Sequence, residues 1–138
     1  MVRKIDHLGF AVHSIAEARV FYETVLGLHC ERIEEIRSQQ VRTAFFRIGD
    51  THLELLEPPG PDSPVARFLE KHGEGFHHIG YRCDDVEQQL RLAEEQGCRL
   101  INPEPVTGAG GKKIAFLHPR STHGVLTEIC GAPDTPND

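Results

Sequence analysis

The sequence predicts an α+β fold built from two tandem βαβββ modules, and three observations carry that prediction. First, Ile5-Asp6-His7-Leu8-Gly9-Phe10 returns 71 residues later as Phe76-His77-His78-Ile79-Gly80-Tyr81. Second, each copy leads into a short polar turn and a helical pattern, Ser14-Ile15-Ala16-Glu17 in one case and Asp85-Val86-Glu87 in the other. Third, Ala44-Phe45 recurs as Ala115-Phe116 at the same separation of 71, whereas Leu53-Glu54-Leu55 recurs as Thr127-Glu128-Ile129 at 74. A three-residue insertion before the last strand would give that change, and a repeat of this length is the mark of a duplicated supersecondary unit.

The elements follow in order. Residues 5–12 alternate in a strand pattern, with His7, Gly9 and Ala11 on one face and Leu8, Phe10 and Val12 on the other. Ser14-Ile15-Ala16-Glu17 fits a capping box that opens a helix. That helix keeps Ile15, Ala18, Phe21, Tyr22 and Val25 at three- and four-residue intervals, runs to Leu26, and ends at Gly27, a residue free to take the left-handed cap. Strands are expected at 28–36, 41–48 and 52–56, with a polar bend at 37–40 and a turn at Gly49-Asp50. Pro58-Pro59-Gly60-Pro61 then stops the ladder, since proline has no amide to donate. Ser63 as cap, Pro64 in the first helical position and Gly73 past the end define a linker helix. The second module repeats the order: strand 76–83, a helix from Asp85 to Gln96 stopped by Gly97, and strands near 98–101, 112–118 and 124–130. Residues 103–111, with Gly108, Gly110 and Gly111, read as a mobile polar loop.

The boundaries expected are one domain over 1–131, with module 1 at 4–58, the linker helix at 62–73 and module 2 at 75–131, followed by a flexible tail at 132–138. A chain of 138 residues can bury roughly 70% of the surface its unfolded form exposes. The formal charge of −6, with no basic run, argues against a nucleic-acid partner. No apolar stretch approaches the roughly 18 residues of a membrane span, and Met1-Val2-Arg3-Lys4 leads straight into strand pattern rather than a secretory segment. Cys30, Cys83, Cys98 and Cys130 form no Cys-x-x-Cys pair, so the expectation is four reduced thiols in a cytoplasmic protein.

Chemistry concentrates at four repeat-equivalent positions, His7 with His78 and Glu54 with Glu128. Two imidazoles and two carboxylates suit a divalent ion of borderline softness, such as cobalt, manganese, zinc, nickel or iron, better than calcium or a Cys-rich zinc site. An octahedral ion so held keeps two open positions for a substrate. His77 is adjacent to His78 and points to the opposite face of the strand. His13, His29, His52, His72, His118 and His123 fall at turns, ends or solvent faces. The run Gly108-Ala109-Gly110-Gly111 does not lie between a strand and a helix as a dinucleotide loop must, and Lys112 and Lys113 read as solvated.

The duplicated layout with His-aliphatic-Gly openings resembles the vicinal oxygen chelate superfamily, the glyoxalase, bleomycin-resistance and extradiol dioxygenase fold. Glu54-Leu55-Leu56-Glu57-Pro58, the stretch 73–79 and the stretch 108–119 are similar more narrowly to the methylmalonyl-CoA epimerase family, and the likeness covers Ile5 to Cys130. The resemblance implies a cupped mixed β-sheet with helices outside and a homodimer acting on an acyl-CoA substrate. It also implies a metal held by His7, His78 and Glu128, with Glu54 as fourth ligand. The implied reaction interconverts the (R) and (S) forms of methylmalonyl-CoA by α-proton abstraction through a metal-stabilised enolate, with Glu128 as a catalytic acid or base. The family's second glutamate falls on Ser38, which is too weak a base unless activated. Glu34 shares the face of Ser38 if the strand runs on unbroken, whereas Glu35 is out of phase. A glyoxalase-like lyase or another metalloenzyme of this fold, and a metal-free small-molecule-binding protein, stand as the alternatives.

Overall fold

The computed structural model describes residues 1–132, so the expected tail lies outside the described residues from position 133 onward. The chain forms two compact units, one of His7–His77 and one in which Met1–Asp6 joins the chain from His78 onward. The crossings fall between Asp6 and His7 and between His77 and His78, so each repeat histidine stands at a crossing point.

In the His7–His77 unit, four strands take the order β2-β3-β4-β1. They are β1 (Val2–Ala11, which enters this unit at His7), β2 (Cys30–Ile36), β3 (Val41–Ile48) and β4 (Thr51–Glu57). β3 is antiparallel to both β2 and β4, whereas β1 runs parallel to β4, so the sheet is mixed. Helix α1 (Ile15–Val20) opens as the sequence predicts, Ser14 accepting from the Glu17 amide at 3.2 Å. The amides of His13 and Ile15 donate to carboxylates from elsewhere in the unit, Glu74 and Glu57, each at 2.9 Å. The helical stretch continues as a wider π-type turn over Phe21–Val25, closed by Leu26 N–H to Phe21 C=O, and Gly27 at φ +70° releases the chain. Helix α2 (Pro64–His72) has Ser63 as its cap, accepting from the Ala66 amide, and Gly73 at its end.

The other unit orders its strands β5-β8-β7-β6. These are β5 (Gly75–Cys83, in this unit from His78), β6 (Val106–Thr107), β7 (Lys113–Leu117) and β8 (Thr127–Cys130), with helix α3 (Val86–Glu95) capped by Asp85. One predicted strand is corrected here. Residues 98–101 make a single bridge, Leu100 to Leu117, because Pro103 and Pro105 offer no amides to carry a ladder forward. Pairing resumes in β6, inside the stretch expected to be a mobile loop. There Gly108 lies so close to Ile114 that an added Cβ would sit 2.7 Å from its Cδ1.

Both units bury one sheet face under a helix. Phe46, Ala44, Leu55 and Val12 pack with Ile15 and partly buried Ala18 and Tyr22 of the first helix. Cys83, Ala115, Leu117 and Ile129 pack with Val86 and Leu90 of α3. The opposite sheet faces carry the polar residues considered next. No helix among the described residues is long and apolar enough to cross a membrane.

Candidate functional site

Register, more than local sequence, sets which side chains share a face. In the His7–His77 unit Gly9 pairs with Glu54 across the parallel strands, and Phe45 pairs with Glu54 across the hairpin. Residues so paired project on one side, and His7 is two residues from Gly9, so His7, Phe45 and Glu54 share the face away from the helix. His7 and Glu54 are 4% and 7% exposed, and His7 Nδ1 lies 3.6 Å from Glu54 Oε2.

The second pair is built by the same rule. Gly80 pairs with Glu128 across the parallel strands and Phe116 pairs with Glu128 across the hairpin, reproducing the first unit position for position. His78 and Glu128 are equally buried, with His78 Nε2 at 3.4 Å from Glu128 Oε1. The shift from 71 to 74 has a structural cause in a three-residue 3-10 turn, Pro119–Ser121, between the last two strands. The His118 ring caps that turn, its Nδ1 accepting from the Arg120 amide. Two neighbours fix this pair further. The Phe116 ring meets the His78 ring edge-on at 5.5 Å, and the Cys130 thiol donates to Glu128 Oε2 at 2.8 Å.

Each pair therefore contains a neutral-capable nitrogen donor and a carboxylate, both removed from water. A buried carboxylate is costly unless a cation or several hydrogen bonds compensate it. Separations of 3.4 and 3.6 Å exceed a good N–H···O hydrogen bond. They resemble the roughly 3.0–3.4 Å between two ligand atoms that each sit about 2.1 Å from one ion. Each pair offers an imidazole nitrogen and a carboxylate oxygen, donor types that a divalent transition metal takes.

The residues set aside behave as expected where their contacts are described. His77 packs edge-on against Phe68 at 4.8 Å, and His52 pairs with Glu31 at 2.8 Å. All four cysteines are free. Ser38 falls in an exposed 3-10 turn, Arg37–Gln39, closed by Gln40 in the left-handed region, so strand phase does not reach it. Glu34 and Ser38 thus share no face, whereas Glu34 pairs with Thr43 and thereby lies on the face of Phe45 and Glu54.

Sequence reasoning missed several polar residues. Asp6 is 3% exposed and accepts from Arg82 Nε at 3.1 Å and Nη2 at 2.8 Å, with Lys112 Nζ at 3.5 Å. Lys112 is thus half-buried on an aspartate rather than solvated, while Lys113 does reach the surface and pairs with Glu87. Asp6 and Cys130 also bring their ligand-type atoms within 4.8 Å of each other. The fully buried Thr43 hydroxyl has no hydrogen-bond partner among the described residues, an arrangement that costs about 1–3 kcal/mol. Asp6 precedes His7 and is the one of these with a visible signal, the single acidic or basic residue of the expected strand 5–12 besides its histidine.

Known proteins share this fold. Residues 6–116 match the family model of the Glyoxalase/Bleomycin resistance protein/Dioxygenase superfamily. The Bacillus subtilis protein YqjC is 50% identical, the match covering 94% of this chain and 92% of that protein. The ethylmalonyl-CoA/methylmalonyl-CoA epimerase of Cereibacter sphaeroides is 34% identical over 94% of this chain and 98% of its own. A solved methylmalonyl-CoA epimerase in complex with methylmalonyl-CoA and ammonium superposes with a TM-score of 0.94, at 36% identity and 97% coverage of both chains. This chain belongs to the Glyoxalase/Bleomycin resistance protein/Dioxygenase superfamily.

Proposed function

We propose that this protein is a metal-dependent epimerase that interconverts the (R) and (S) forms of methylmalonyl-CoA. The observation that carries the reading is the doubled buried pair, His7 with Glu54 and His78 with Glu128, in a chain one third identical over nearly its whole length to an ethylmalonyl-CoA/methylmalonyl-CoA epimerase. Residues 1–131 act as one working domain in this reading; the homodimer and the acyl-CoA substrate follow from the same resemblance, and the cytoplasmic location from the unpaired cysteines.

The four side chains would together hold one divalent ion, cobalt, manganese, zinc, nickel or iron. When bound, that ion supplies positive charge where negative charge develops on the thioester oxygen. Glu128 does the proton work: one carboxylate oxygen takes or returns the α-hydrogen as a proton. The Cys130 thiol, donating to Oε2, restrains rotation of that carboxylate. Phe116 holds the His78 ring against swinging. Cys130 and Phe116 are positioning residues in this scheme, and Glu128 is the catalytic one.

The test is deuterium washout from methylmalonyl-CoA in D2O, followed by NMR, with Glu128→Gln beside the wild type. The wild type should exchange the α-hydrogen and the variant should lose exchange. Unchanged washout in the variant refutes the role of Glu128. A wild type that instead acts on a hemithioacetal or a catechol marks another reaction of the superfamily, and a wild type that binds no metal marks a binding protein.

A further inference from the structure

The unit that holds His78 and Glu128 carries a charge that the proton chemistry leaves unused. Buried Asp6 in that unit faces two cations, Arg82 and Lys112. Arg82 reaches Oδ1 with two hydrogen bonds, Nε at 3.1 Å and Nη2 at 2.8 Å, and so neutralises the carboxylate by itself. Lys112 Nζ stands at 3.5 Å, within ion-pair range but beyond a good hydrogen bond, and it has no other ion pair among the described residues. One net positive charge remains, on an ammonium whose side chain is only 18% exposed. An ammonium has three N–H donors to satisfy, and a cation this withdrawn from water is costly without an anion beside it.

We propose that Lys112 binds the free carboxylate of a malonyl-type thioester, a 2-carboxyacyl group, and so sets the substrate class; this rests on the epimerase reading above. Register puts the ammonium's stem on the required face. Gly80 and Phe116 pair with Glu128, and one two-residue step further Arg82 and Ile114 pair with Cys130, so all of them share the face of Glu128. Lys112 lies one more step before Ile114, and its extended backbone, φ −70° and ψ 148°, carries the alternation on to it. Contacts span the rest. Asp6, beside the ammonium, brings a ligand-type atom within 4.8 Å of Cys130 Sγ, and that thiol donates to Glu128 at 2.8 Å. The carbon that loses the proton bears the free carboxylate directly. With its α-hydrogen at Glu128, the substrate turns that carboxylate toward the Cys130 and Asp6 end of the face, where Lys112 waits.

The neighbouring charges leave this role to Lys112. Arg82 is engaged by Asp6, exposed Lys113 pairs with Glu87 at 2.7 Å, and Arg3 pairs with Asp84. Glu128 faces His78 Nε2 at 3.4 Å and the Cys130 thiol, and makes no ion pair with Lys112. The substrate carboxylate keeps its charge from the bound ground state to the enolate, so a contact with Lys112 stabilises both alike. Such a contact governs affinity rather than turnover.

The test compares malonyl-CoA with acetyl-CoA, which differ by that carboxylate alone, as ligands of the metal-loaded protein in titration calorimetry. Wild type is set beside Lys112→Met, Lys112→Arg and Lys113→Met, each checked for unchanged metal content and thermal midpoint. Wild type should bind malonyl-CoA about 10–100-fold more tightly than acetyl-CoA, the range of one charge-assisted hydrogen bond. Lys112→Met should lose that preference by weakening malonyl-CoA binding alone. It should also raise KM for methylmalonyl-CoA at least about 10-fold with kcat held within about threefold. Lys112→Arg should keep most of the preference, a rescue that a purely structural loss would not show, and Lys113→Met should match the wild type. No preference in the wild type, or a preference in Lys112→Met equal to that of the wild type, would overturn the assignment of Lys112. A wild type that prefers malonyl-CoA through Lys112 yet exchanges no α-hydrogen of methylmalonyl-CoA would overturn the epimerase reading and leave the carboxylate site standing.

Discussion

In the first half of the chain β2 pairs with β3 from Cys30 to Ile36 and sets Arg32 and Glu34 on the face of Phe45. In the second half the corresponding strand has shrunk to the Leu100 bridge and the two-residue β6, and the residues described as paired with β7 on that side, Leu100, Val106 and Thr107, include no carboxylate. The hairpin that carries the glutamate is meanwhile kept in register in both halves, Phe45 with Glu54 and Phe116 with Glu128. Duplication has preserved the histidine–glutamate pair and let the flanking strand diverge.

The predictions test that contrast. The largest effect belongs to Glu128→Gln, expected to lower α-hydrogen exchange by about 10²–10⁴-fold, the range for loss of a positioned acid or base. Glu54→Gln should instead act chiefly on metal content, since its half supplies the other ligand pair. Next, His7→Ala and His78→Ala should each weaken metal binding by at least about 100-fold, read by elemental analysis after dialysis, because removing a ligand exceeds the 10–100-fold of an outer-shell change. Strongly unequal losses would show that the two histidines are not equivalent ligands. Arg82→Ala should then destabilise the protein by about 2 kcal/mol in denaturant, because Asp6 would lose two charge-assisted hydrogen bonds while keeping Lys112. Gly108→Ala should cost about 1–3 kcal/mol through its clash with Ile114. The smallest effect is Cys130→Val, a drop of about fivefold in turnover that Cys130→Ser restores, since serine keeps a donor to Glu128.

Much of this arrangement was legible in the residues. Strand β3 lies at the predicted 41–48, the turn at Gly49-Asp50 and the caps Ser14 and Ser63 are where expected, and the repeat picks out His7, Glu54, His78 and Glu128, though not which histidine stands beside which glutamate. Those features are local, or copied within the chain. What was not legible depends on register and on distant partners. Nothing near Glu34 says that the strand stops at Ile36 and turns, so the phase argument that tied it to Ser38 failed. Asp6 meets Arg82 across 76 residues, and Lys112 joins them from a loop that looked solvated. The strand expected at 98–101 came from the repeated order of the module, but two prolines downstream denied it a ladder.

The most direct test of the central claim is the rate of deuterium incorporation at the α-carbon of methylmalonyl-CoA, measured by NMR on protein loaded with one divalent ion per chain and on the same protein stripped of it. Exchange with the loaded protein, lost on stripping and restored on reloading, is the predicted result. Equal exchange rates in the two samples, or none in either, would contradict it.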